Sequence, residues 1–117
     1  MRKFVGEVFL DFDSEDEEAH YCSKSALAIV RDEEIVLEFT GHDADEGAYS
    51  SSCKLTKISS TWKGRGQFRS IHGEIGAAIE CDATINESLN LSGTWRDDGD
   101  SDHYEFRAEL EVVAGGS

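Results

Sequence analysis

The stretch His103-Tyr104-Glu105-Phe106-Arg107-Ala108-Glu109-Leu110-Glu111-Val112-Val113 decides the fold. Tyr104, Phe106, Ala108, Leu110 and Val112 share one parity, and His103, Glu105, Arg107, Glu109 and Glu111 share the other. A strand points successive side chains to opposite faces, so period two keeps these sets apart. A helix, with 3.6 residues per turn, mixes them. The segment therefore reads as a strand with one apolar face turned inward and one charged face turned to water.

Working back along the chain, the same alternation recurs. Phe4, Val8, Leu10 and Phe12 share a face with Gly6. Ala26 to Val30 reads as a short second strand with Leu27 and Ile29 inward. Ile35, Leu37 and Phe39 mark a third, Tyr49, Cys53 and Leu55 a fourth, and Trp62 and Phe68 a fifth. Ile75, Ala77, Ile79 and Cys81 mark a sixth, and Leu89, Leu91 and Trp95 a seventh. Short polar stretches separate them: Asp32-Glu33, His42 to Gly47, Ile71 to Gly73, Asn86-Glu87 and Asp97 to Asp102. The expected fold is all-β, an eight-stranded antiparallel meander closing into an up-and-down barrel that leaves no free sheet edge. Glycines inside the strands (Gly6, Gly64, Gly66, Gly76 and Gly93) suit the bends that closure needs. A two-sheet β-sandwich is the competing architecture. One segment departs from alternation. Ser14-Glu15-Asp16-Glu17 fits a capping box, which predicts a short helix over Glu15 to Ser23 after the first strand. Residues 1–113 form a single domain, and Ala114 to Ser117 reads as a flexible tail.

The chain has 117 residues, 25 acidic and 11 basic, for a net charge of −14. Such a balance opposes nucleic-acid binding through phosphate neutralisation and favours a basic protein partner. No apolar run is long enough to cross a membrane as a helix. The first residues lack the apolar core of a signal peptide, so the start reads as cytoplasmic. Cys22, Cys53 and Cys81 are odd in number and show no CxxC spacing, which argues against a disulfide framework or a zinc site.

Catalysis from inside a barrel needs polar side chains at inward parity. Here Ser51 is the main inward polar residue, and no Gly-x-Ser-x-Gly elbow is present. The expectation is a non-enzymatic protein without cofactor or metal. Asp98, Asp100 and Asp102 have the spacing of a calcium loop, but His103 stands where an EF-hand needs glycine. His42-Asp43-Ala44-Asp45-Glu46-Gly47 has the composition of a turn as much as of a metal site.

Function is thus sought on the outside. Glu105, Glu109 and Glu111, with Asp97, Asp98, Asp100 and Asp102 of the adjoining turn, are the expected contacts for a basic partner, in an inhibitor or immunity-type role. Val5 and Phe9 are apolar at outward parity, as are Val36 and Val113, and add a docking patch. From Lys54 to His72 stand five basic residues and no acidic one: Lys54, Lys57, Lys63, Arg65 and Arg69. This basic hairpin reads either as a second interaction surface or as charge balance against Glu74, Glu80 and Asp82. A homodimer could use it or the outer face of the first strand. The alternative function is a small hydrophobic ligand held inside the barrel.

Leu91-Ser92-Gly93-Thr94-Trp95, an acidic turn and Tyr104-Glu105-Phe106 together resemble the Gly-x-Trp strand of calycin barrels, such as avidins and lipocalins. The resemblance implies an eight-stranded up-and-down barrel, and in those families a small ligand inside it. The calycin motif lies in the first strand and here it lies in the seventh, so no ligand residue carries over. Trp95 reads as a core tryptophan.

Overall fold

The computed structural model describes residues 2–12, 20–43, 47–71, 73–99 and 103–113. Eight strands follow one another: β1 (Arg2–Phe12), β2 (His20–Arg31), β3 (Glu34–Asp43), β4 (Gly47–Ile58), β5 (Thr61–Ser70), β6 (Gly73–Ile85), β7 (Ser88–Asp97) and β8 (Tyr104–Val112). Each pairs antiparallel with the next, and β8 pairs with β1 from Phe4↔Val112 to Phe12↔Tyr104, so the sheet closes into a barrel. The architecture is the one the alternation implied. The sandwich is excluded, since every strand has two ladder partners.

The interior is built from the inward parity. Phe4, Val8 and Leu10 of β1, Ile35, Leu37 and Phe39 of β3, and Phe106, Ala108 and Leu110 of β8 are buried. So are Leu89, Leu91 and Trp95 of β7, with Trp62, Ala77, Ile79, Cys53 and Cys81. Trp95 sits among aromatic neighbours, with its ring centroid 6.2 Å from Phe39 and 6.1 Å from Phe106. Closure brings backbones close at glycine. A Cβ on Gly64 would lie 1.8 Å from the Lys54 carbonyl oxygen, and one on Gly93 would lie 2.0 Å from that of Glu80.

Three sequence expectations change. In β2 the inward residues are Ala26, Ala28 and Val30, while Leu27 and Ile29 face outward, half-buried. Ala26 to Val30 is apolar at both parities, so alternation there does not decide the face. Small alanines leave room beside the large rings. The second correction concerns the helix. His20 to Ser23 belong to β2, paired with Val8 to Asp11 of β1, and Glu15 to Ala19 lie outside the described residues. The ladder of the long β1 needs a partner along that half, and His20 to Ser23 supply it. Gly6 pairs with Ala26 but Val8 with Ser23, a bulge that resets the parity of β2. The third correction is at the strand ends, where Ile75 of β6 and Val112 of β8, both expected inward, are exposed. The expected tail at Ala114 to Ser117 lies outside the described residues.

Candidate protein-interaction surface

The outer face of β8 is a column of Glu105, Arg107, Glu109 and Glu111, all exposed. Register sets its neighbours. On the β7 side stand Thr94, Ser92, Asn90 and Ser88, a neutral polar flank. On the β1 side Arg107 faces Phe9, Glu109 faces Glu7, and Glu111 faces Val5. The Arg107 guanidinium lies over the Phe9 ring, 4.8 Å from its centroid, so the one base of the column is engaged with an aromatic face. Glu7 and Glu109 are then like charges directly opposite one another. Neither they nor Glu105 and Glu111 take part in the ion pairs formed among the described residues.

The turn residues have other engagements. Asp97 accepts a hydrogen bond from the buried Trp95 indole, Nε1 to Oδ1 at 2.9 Å. Asp98 receives the Arg65 guanidinium at 2.5 Å, and its amide donates to the Gly76 carbonyl. That hydrogen bond from Arg65 holds the Asp98 carboxyl below the usual carboxylate range. Gly76 makes room for the pair, since a Cβ there would meet Asp98 Oδ2 at 2.7 Å. Asp100 and Asp102 lie outside the described residues.

The basic hairpin is largely balanced. Lys54 pairs with Glu34 at 3.5 Å, Lys63 with Glu80 at 3.9 Å, Arg65 with Asp98, and Arg69 with Glu74 at 2.7 Å. Each bridge is exposed and contributes little stability by itself. Together they offset four of the five bases, Lys57 standing outside these pairs, while among the described residues the carboxylates of β8 and Glu7 of β1 take part in none of them.

Of the apolar outward residues, Val5 is 48% exposed and Phe9 half-buried beneath Arg107. Val36 is half-buried on β3 and Val113 half-buried just past β8. Sequence reasoning missed two further members. Leu27 lies opposite Val5, and Ile29 lies opposite Val36. The signal that could have found them was the pair of alanines at alternate positions, Ala26 and Ala28, sized for a crowded interior.

The inward groups offer little chemistry. The buried hydroxyls of Ser23 and Ser51 donate to the carbonyls of Thr40 and Gln67 on neighbouring strands. Burial pushes the Cys53 and Cys81 thiols up to about 12, far from a reactive thiolate at neutral pH. Asp43 pairs with Gly47 across the β3–β4 hairpin, and residues 44–46 of the expected turn lie outside the described ones. Among the described residues no three His, Cys, Asp or Glu side chains gather as metal ligands. Recesses of about 400, 370 and 420 Å³ lie along outward-facing rows, the first beside Leu27, Glu38, Thr40, Ser50 and Ser52. In comparisons with known proteins, the chain matches no family model, no curated protein and no solved structure.

Proposed function

We propose that the protein is a non-catalytic interaction protein that binds a basic protein partner through the outer face of β8 and β1, in an inhibitor or immunity-type role. One observation carries this reading. Glu7 and Glu109 oppose each other with no ion pair among the described residues, Glu105 and Glu111 beside them, while four of the five bases of the β4–β5 hairpin are tied to carboxylates elsewhere. Like charges directly opposite on a sheet face cost stability. A partner that brings positive charge removes the cost and steers its own approach. The likeness to calycin barrels is one of architecture, and no internal ligand is proposed from it.

The test is charge reversal at Glu105, Glu109 and Glu111 together. Association with a basic protein probe should slow markedly at low salt, and the dependence of its rate on ionic strength should weaken. Binding indifferent to the triple reversal sinks the reading.

A further inference from the structure

We infer that the centre of the docking surface lies one strand further round, at an aliphatic strip formed by Val5, Leu27, Ile29 and Val36, and that it takes a segment of a basic partner in which apolar and cationic side chains alternate. The inference rests on the basic-partner reading and adds where such a partner seats. Register makes the strip continuous. Val5 faces Leu27 across β1 and β2, Ile29 faces Val36 across β2 and β3, and Leu27 and Ile29 are two apart on the same face. Its edge is acidic. Glu111 stands opposite Val5 on β8, and Glu38 stands opposite Leu27 on β3. Glu38 is exposed, with no ion pair among the described residues.

Beside Leu27 and Glu38 opens the recess of about 400 Å³ lined also by Thr40, Ser50 and Ser52. It offers one carboxylate and several hydroxyl acceptors to a cation whose apolar neighbour lies on the strip, and the Arg69 that also lines it is already paired with Glu74. An apolar centre within a charged rim is the usual anatomy of an interface. A second copy of this chain fits poorly. It carries the same net charge of −14, and a two-fold contact would set these carboxylates against one another.

The test uses the full chain and two synthetic peptides of equal length and charge, one alternating Lys and Leu, the other Lys and Ser. Affinities are measured at fixed salt. The Lys-Leu peptide should bind about tenfold tighter, a difference of roughly 1.4 kcal/mol. That advantage should vanish in Leu27→Ser/Ile29→Ser, and Glu38→Gln should weaken both peptides. Ile58→Ser, at an exposed apolar residue elsewhere, should change nothing. If the double variant unfolds, Leu27→Lys alone, which adds a repelling charge, serves in its place. Equal binding of the two peptides overturns the strip and leaves the acidic surface standing. Loss of the advantage in the Ile58 variant also overturns it, by revealing unspecific adsorption. Failure of either peptide to bind in a salt-dependent way sinks the basic-partner reading itself.

Discussion

Asp97 holds the indole of Trp95 from the end of the same strand, and that single contact ties a surface carboxylate to the middle of the core. Deleting it strands a buried N–H, and a hydrogen bond to a charged acceptor contributes about 1.5–3 kcal/mol. Asp97→Ala should therefore lower stability by about 2 kcal/mol in urea denaturation, while Asp97→Asn, which keeps an acceptor, should recover most of it. An unchanged midpoint in the alanine variant removes this role. Cys53 and Cys81 act through their protons. Burial raises both thiols from the ordinary 9.0 to about 12, so the folded protein keeps protons that the unfolded chain releases. Their contribution is complete below pH 9 and is lost as pH climbs from 9 toward 12. In Cys53→Ala/Cys81→Ala, denaturation midpoints should fall less steeply over that window than in the parent, even if stability at neutral pH is lower. Parallel slopes contradict the account.

At the scale of the element, β5 shows what closing the barrel requires. Its Gly64 lies against the Lys54 backbone, where a methyl group would overlap a carbonyl that no rotamer change can move. Gly64→Ala should cost about 3 kcal/mol, at the upper end of overpacking effects, or prevent folding, as read by circular dichroism and thermal melts. A neutral result means that β4 and β5 can part there. The elements also mark what the sequence made legible. β8 was readable almost throughout, because its inward positions are apolar and every outward one is charged, and it departs only at its end, where Val112 is exposed. β2 was not, for two physical reasons. Its middle is apolar on both faces, so side-chain size rather than polarity decides which way it turns. Its bulge near Ser25 shifts parity in mid-strand, which no fixed period can anticipate. The candidate surface inherits this pattern. Glu105, Glu109, Glu111, Val5 and Phe9 fall together because β8 and β1 are regular. Leu27 and Ile29 escaped notice because β2 is not. Asp97 and Asp98 looked like free turn carboxylates because their partners, Trp95 and Arg65, are set by side-chain reach and by a strand 33 residues away in sequence.

The whole molecule distributes its excess of carboxylates unevenly. Around β4 to β6 exposed ion pairs offset charge, whereas on β8 and β1 Glu7 and Glu109 stand opposed with no ion pair among the described residues. If that face is kept acidic for a partner, binding and stability pull in opposite directions at Glu109. Glu109→Gln preserves shape and polarity while removing one of the opposed charges. It should raise stability by about 0.2–1 kcal/mol, the usual size of a cross-strand pair term. The gain should shrink in 0.5 M NaCl, where exposed charges are screened. Glu7→Gln should give a similar gain, and the double variant less than the sum, because either change alone already relieves the repulsion. The same Glu109→Gln variant should bind a basic protein probe more slowly at low salt. Thermal melts at two salt concentrations and stopped-flow association together decide the matter. A variant that is no more stable shows that the carboxylates already avoid one another. One that is more stable and binds as fast as the parent shows that the opposed pair is not kept for a partner.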